Sequence, residues 1–363
     1  MLGTRDVMAV AKFARPQGAF SQVLKERVQE YFKSANIRPT GDARLFTKSI
    51  ILILTGIITY TCWLFLDLPT WASVLSALLM GVNHALIGFN IMHDGAHGSY
   101  SSNRRINALM AYSLNVVGGN AFYWNVKHNV AHHSFPNVEG HDEDIDIWPF
   151  IRSNKYQRRL WFHRYQHLYG MFLYCLTYVQ WVFWADMRKY IEGSVAEVKI
   201  QGFTTRQHVI FWATKIAYGA VFIGVPVYIL GWTMGLLTYG ASAAMTGLVI
   251  AITFQLAHVN EKTDFMVPDP VTNALEDEFS VHQFATTANF ATRSKAAAWV
   301  FGGLNFQVEH HVFPKISHIH YPSIKPIVEQ TCREFNVPYL EYPTVMQAII
   351  SHLRYLRLVG SAA

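Results

Sequence analysis

Charge is what this chain of 363 residues has least of: Asp, Glu, Lys and Arg make up 15% of it, against about 25% in an ordinary soluble domain. Cysteine is scarce too. Only Cys62, Cys175 and Cys332 occur, odd in number and without a CxxC pair, which excludes a disulfide framework and a thiolate metal site. The first thirty residues are polar and broken at Arg15-Pro16, without the apolar core and small-residue cleavage site of a secretory signal. Repeats and low-complexity tracts are missing, so disordered, collagenous and array architectures fall away. What is present is the reverse: 51% hydrophobic residues, 14% aromatic, and a mean hydropathy of +0.15. That balance indicates a membrane enzyme or a transporter.

No Lys or Arg lies between Lys48 and Arg104, or between Lys215 and Lys262. The apolar runs 49–66 and 71–92, then 208–230 and 236–258, have the length of transmembrane helices and form two hairpins, the second turning at Gly231 to Gly235. Cation-free tips and basic long loops put both termini on the cytoplasmic side. The expected fold is therefore all-α, because strands cross lipid only as closed barrels. Ile106 to Trp124 and Leu168 to Trp184 carry polar interruptions and fit in-plane helices, with six spans as the alternative. From Glu261 onward the chain reads as a cytoplasmic helical cap. The organisation is a basic N-terminal segment 1–48, a membrane domain 49–325 and a cytoplasmic C-terminal segment 326–363. The first segment supplies +5 of the net charge of +6; beside apolar spans this suits anionic headgroups, and no nucleic-acid partner is expected.

Seventeen histidines are present, and their placement is informative: His93 and His97; His128, His132 and His133; His258; His310 and His311. Topology delivers His93 and His258, at the ends of the second and fourth spans, to the same interface as the other clusters. Positions i and i+4 share a helix face, close enough to chelate one ion. One such pair is weak, since chance alone gives about 0.8 of them at this histidine content, and His163/His167 is another. The triple in His128-Asn129-Val130-Ala131-His132-His133 is far rarer. Adjacent histidines on a helix point about 100° apart, so His132/His133 and His310/His311 are served best by two ions. Eight imidazoles also exceed what one zinc needs. Imidazole suits Fe, Zn, Cu and Ni alike, so the residues alone do not name the metal.

The boxes HDGAH (93–97), HNVAHH (128–133) and QVEHH (307–311) resemble those of membrane fatty acid desaturases. Gly302 to Pro314, with Gln307 opening the third box, is similar to the front-end, or linoleoyl-CoA desaturase-like, branch. The likeness extends through 140–146 and 283–290 and covers roughly residues 45–325. It implies a non-haem di-iron centre that uses O₂ and two electrons from a reductase chain to remove two hydrogens from an acyl chain. His93, His97, His128, His132, His133, His310 and His311 would be iron ligands, and His258 would match the ligand outside the boxes. Gln307 would stand beside the metals. Many front-end relatives carry a fused cytochrome b5 domain, for which residues 1–48 are too short. A separate donor, a ferredoxin or a cytochrome b5 with its reductase, is then expected.

Other polar residues have two readings each. His141 with Asp142, Glu143, Asp144 and Asp146 either orient ligating imidazoles or form a solvated acidic loop, with Asp142 and Asp146 singled out among them. His282 fits a supporting role better than ligation, and Asp94 and Glu309 within the boxes either support ligands or face water. Asn83 and His84 sit inside the second span, where polar groups face the bundle interior; they line an acyl tunnel or bond a neighbouring helix. Trp161, Phe162, Trp181, Phe183 and Trp184 read as an interfacial belt, and His163, His167, His318 and His320 as structural. The favoured function is an acyl desaturase acting on acyl-CoA or acyl-lipid. A lipid hydroxylase of the same superfamily, a zinc-dependent membrane lipid hydrolase and a metal transporter are its rivals, the last weakened because the histidines gather on one face. A bacterial inner membrane is favoured over the endoplasmic reticulum.

Overall fold

The computed structural model describes residues 11–195, 198–200 and 202–362; the first ten residues of the basic N-terminal segment lie outside that set. The protein is an α-helical membrane protein. Three of its helices are long and apolar enough to cross a bilayer: Ala43–Phe65, Thr70–His97 and Thr205–His258. Strand is confined, among the described residues, to three two-residue pairs and one isolated bridge.

The first apolar helix starts where Asp42 accepts from the Arg44 amide at 2.9 Å, six residues before the expected boundary at 49. The second runs from Thr70 to His97 without interruption, past the expected end at 92, through a π-helical turn at Gly88–Met92. The third starts at a Thr204/Gln207 capping box. Instead of a Gly231 to Gly235 turn between two separate helices, only Gly231 departs from helical geometry, at φ 80° and ψ 165°. One residue suffices because glycine has no Cβ to oppose that backbone conformation. The chain folds back there. The hydroxyls of Tyr218 and Tyr239 lie 3.2 Å apart, whereas 21 residues of straight helix would separate them by about 31 Å.

Small residues set the close contacts among these helices, as membrane interiors favour. A Cβ on Gly81 would stand 2.3 Å from the Ser242 carbonyl oxygen, and one on Gly247 would stand 2.7 Å from that of Tyr174. The second apolar helix and the helix Gln166–Val179 therefore both pack directly on the arm that ends at His258. Arg104–Ala111, Ser113–Val116 and Ala121–Asn125 are separate short helices where one in-plane helix over 106–124 was expected.

Outside the apolar helices, Phe20, Leu24, Val28 and Phe32 form a four-residue stripe on Ala19–Ser34 and pack against Tyr321, Ile324, Val328 and Cys332 of Tyr321–Phe335. Each such buried side chain contributes about 1.5–3 kcal/mol relative to exposure. The N-terminal segment is thereby part of the same body as the last hundred residues. The boundary drawn at 325 falls inside the helix Tyr321–Phe335. This packed body lies over the ends of the second and third apolar helices, where the histidines are.

Candidate metal centre and acyl cavity

Eight histidines from four parts of the chain converge. His93 and His97 close the second apolar helix, and His258 closes the third. His128 and His132 lie on a π-helical turn, Val126–His132, whose extra residue per turn lets the His133 amide donate to the His128 carbonyl at 2.9 Å. Consecutive left-handed glycines, Gly302 at φ 59° and Gly303 at φ 72°, deliver the helix Gln307–Val312. A Cβ on Gly302 would collide with the Phe89 carbonyl oxygen at 2.6 Å, so the third box enters against the second apolar helix at backbone contact.

The nitrogens fall into overlapping groups within 4.8 Å: His93, His97, His128 and His310; His132, His258 and His311; and His133 with His310 and His311. All are buried except His97, which is intermediate. The Nε2 atoms of His93, His97, His132, His310 and His311 are buried without a hydrogen-bond partner. Five orphaned acceptors in one place would be costly in an apoprotein core; as ligand atoms for cations they are satisfied, so the donor set fits metal ions.

The opposite ring nitrogens are held. His128 Nδ1 is 2.6 Å from Asp144 Oδ2, and His132 Nδ1 is 2.9 Å from both oxygens of Asp142. His258 Nδ1 is 3.1 Å from the Thr286 carbonyl, His310 Nδ1 is 3.2 Å from the Tyr321 hydroxyl, and His311 Nδ1 is 2.9 Å from Gln283 Oε1. An Nδ1–H so donated leaves the Nε2 lone pair facing inward, the usual arrangement around metal-bound imidazole. Burial and neighbouring imidazoles hold His310 and His311 well below the ordinary histidine pKa, which keeps both neutral. Burial opposes charge on His132, but Asp142 outweighs it and raises its pKa. Burial also works against the Asp144 carboxylate, yet Lys127 and His128 hold it well below the usual range.

The remaining expected residues separate into those near the cluster and those elsewhere. Gln307 Nε2 is 3.0 Å from His258 Nε2. Asp142 touches His132 as described, whereas Asp146 accepts from the Trp148 amide and Gln157 Nε2 and orders its own loop. The second carboxylate at the cluster is Asp144, a member of the acidic run weighed for this role, and not Asp146. Asp94 binds Ser317 Oγ at 2.6 Å and lies 3.0 Å from His318 Nδ1, bracing the cap instead of a box histidine. His282 Nε2 pairs with the Pro136 carbonyl at 2.9 Å. Tyr321 carries no sequence signal for its role; Gln283 and Thr286 at least lie in the 283–290 stretch.

Beside the cluster lies a cavity of about 490 Å³, walled by Phe89, Met92, Leu114, Val117, Leu173 and Ile250 and reaching His93, Trp124 and Asp144. Its size is that of a small-molecule pocket. Trp124 stacks on His128 at 4.3 Å, joining this wall to the histidines. Exposed Asp146, Trp148 and Phe150 mark its outer end, and buried His84 and Gly247 its inner end. Asn83 does not line it. Its amide donates to the Leu52 carbonyl at 2.9 Å, on the first apolar helix. Trp181, expected in an interfacial belt, lines the cavity, while Trp161 and Trp184 are exposed.

Clustered buried imidazoles beside an apolar cavity in a membrane protein fit a metalloenzyme acting on lipid chains, and comparison with known proteins gives the family. Residues 69–343 match the model of the fatty acid desaturase family. The chain is 39% identical over 346 residues to an acyl-lipid (8-3)-desaturase of Physcomitrium patens, covering 94% of this chain and 72% of that protein. It is 34% identical to a sn-1 linoleoyl-lipid 6-desaturase of Synechocystis sp., covering 97% and 98%. A sn-1 linoleoyl-lipid 6-desaturase of Arthrospira platensis is 32% identical, covering 93% and 92%. The chain belongs to the fatty acid desaturase family and is an oxidoreductase acting on fatty acyl chains in a membrane.

Proposed function

We propose that this protein is an acyl-lipid desaturase of the front-end type, with two iron ions held by His93, His97, His128, His132, His133, His258, His310 and His311. The observation that carries the reading is the set of five partnerless, buried Nε2 atoms beside an apolar cavity that His93 lines. Bound iron would supply O₂ activation and the removal of two hydrogens from adjacent carbons. The protein's own share is positioning and exclusion. Asp142, Asp144, Thr286, Tyr321 and Gln283 fix ring orientation, so the cluster needs little rearrangement on loading. The apolar wall holds an extended chain past His93 and keeps bulk water out; which carbon lies opposite the cluster sets the position of the new double bond.

The relatives, named as acyl-lipid and sn-1 linoleoyl-lipid desaturases, favour a glycerolipid as acyl carrier over CoA. The fold-back at Gly231 supports four crossings, with both termini, the cap and the histidines on the cytoplasmic side, and a bacterial inner membrane is favoured. Electrons are supplied by a separate protein, a ferredoxin or a cytochrome b5 with its reductase. Gas chromatography with mass spectrometry of fatty acids from cells expressing the chain or His310→Ala tests this. A new unsaturated acid confined to the unsubstituted protein is expected. A hydroxylated acid instead would make it a hydroxylase, and full activity of His310→Ala would refute the site.

A further inference from the structure

A run of cations without carboxylate partners borders the outer end of the acyl cavity. Between Asp146 and Asp186 the chain has no Asp or Glu, but it carries Arg152, Lys155, Arg158, Arg159 and Arg164. Arg152 is buried, and its guanidinium is taken up by backbone carbonyls, those of Gln157 and Val359 at 2.8 Å among them. Arg159 donates to the Gly360 carbonyl at 2.9 Å. Lys155, Arg158 and Arg164 are exposed, and among the described residues no carboxylate pairs with any of them. Exposed aromatic rings alternate with these three. Lys155 Nζ stands 5.1 Å from the centre of the Tyr156 ring and the Arg164 guanidinium 4.6 Å from that of Tyr165, while Trp161, between them in sequence, is 76% exposed.

Hydrogen bonds fasten this segment to the mouth of the cavity. Gln157 Nε2 donates to Asp146 Oδ1 at 3.0 Å, His163 Nε2 to the Pro149 carbonyl at 2.7 Å, and the Tyr169 hydroxyl to the Phe150 carbonyl at 2.8 Å. The segment leads directly into the helix Gln166–Val179, where Leu168, Phe172 and Leu176 recur every four residues and are exposed, while Gly170, Tyr174 and Tyr178 are buried. An exposed apolar stripe on a helix whose other side packs on protein faces lipid in a membrane protein. Cations and rings at the end of that stripe stand at headgroup level, where Trp and Tyr collect and each Lys or Arg attracts anionic lipid. An acidic protein docking through charge alone would leave Trp161 and the stripe uncovered. Building on the acyl-cavity reading above, which makes this mouth the entrance for the chain, we propose that residues 155–165 bind the phosphate headgroups of anionic phospholipids and hold the mouth against an anionic bilayer surface.

Headgroup competition tests this without requiring turnover. Purified full-length protein is equilibrated with detergent micelles carrying equal amounts of dioleoyl phosphatidylglycerol and dioleoyl phosphatidylcholine. The headgroups retained with the folded, monodisperse protein are quantified by mass spectrometry. Phosphatidylglycerol is expected to be retained preferentially at low salt, and the preference to shrink at high salt. Arg158→Gln with Arg164→Gln is expected to lower the ratio by about five-fold per cation removed, the scale of one charge at an anionic surface. Arg158→Lys with Arg164→Lys, which keeps the charge, is expected to preserve it, as is Lys315→Gln with Arg333→Gln, a pair of exposed cations on the cap. An unchanged ratio in the Arg158/Arg164 Gln pair, or an equal fall in the cap pair, overturns the proposal. Loss of binding to an acidic ferredoxin in that Gln pair with the lipid ratio intact also overturns it and makes the segment a dock for the electron donor. Headgroups are counted here and not acyl products, so failure of the cavity reading shows separately, in the fatty acid analysis above.

Discussion

Replacing Asp142 with Asn tests whether the acidic loop serves the metal centre or merely closes a turn. Asp142 Oδ1 accepts from the Asp144 amide at 3.0 Å, and Oδ2 from the Asn137 amide at 3.0 Å. His132 Nδ1 lies 2.9 Å from both oxygens. Whichever way the Asn amide turns, its NH₂ faces a backbone N–H, donor to donor. One buried backbone donor is orphaned, a cost of about 1–3 kcal/mol. The orientation of His132 is loosened with it, and through the Asp144 amide so is the carboxylate that holds His128. Loss of such outer partners typically lowers metal affinity about 10–100-fold, or about 1.4–2.7 kcal/mol. The assay is iron retained by purified protein after dialysis against graded chelator, read by mass spectrometry. Asp146→Asn is the control, since Asp146 accepts from the Trp148 amide and Gln157 Nε2, away from the imidazoles. Equal chelator midpoints for Asp142→Asn and the unsubstituted protein, or an equal loss in Asp146→Asn, would refute the reasoning.

Three further outcomes are expected. Gly247→Ala places a Cβ 2.7 Å from the Tyr174 carbonyl oxygen and 3.0 Å from that of Cys175, forcing two helices apart; a loss of about 1–3 kcal/mol should appear in unfolding in detergent. Gly240→Ala, with nothing within 4 Å, should be neutral or slightly stabilising under the same measurement. Burial, with help from Lys127, lowers the Lys189 amine to about 8. Folding therefore opposes its charging: the penalty is full below pH 8 and vanishes above the unfolded value, so stability rises with pH across that window. At about 1.4 kcal/mol per unit, Lys189→Met should gain up to about 3 kcal/mol at pH 7, the gain fading by pH 10; a pH-independent difference would contradict the assignment.

The box histidines and the first hairpin were legible because spacing and hydropathy are properties of contiguous sequence. What failed depended on direction. Asn83 and His84 look alike as polar residues in an apolar run, but neighbours on a helix point about 100° apart. One therefore reaches the Leu52 carbonyl of the first apolar helix while the other faces the cavity. Asp144 and Asp146 differ by two positions in an irregular loop, where periodicity assigns no face. The second hairpin was visible as two apolar runs, yet its turn is one residue, Gly231, and not five. Tyr321 reaches His310 Nδ1 only because the cap folds back on the boxes, a contact that local pattern does not encode.

The π-helical turns at Gly88–Met92 and Val126–His132 each accommodate one more residue than an α-helical turn would. In genetic terms, the centre is guarded by a surplus codon on either side. An in-frame loss of one residue from 88–92 would let the helix regularise, leaving its length and hydropathy almost unchanged. The residues beyond it would keep the faces they now occupy, because the π turn has already absorbed the surplus residue. A second residue lost from the same window would instead rotate everything beyond by about 100° and turn His93 and His97 away from their partners, while membrane insertion would be indifferent to either change. The 88–92 window therefore has one residue of length to lose and no more, a constraint invisible to any measure of residue chemistry.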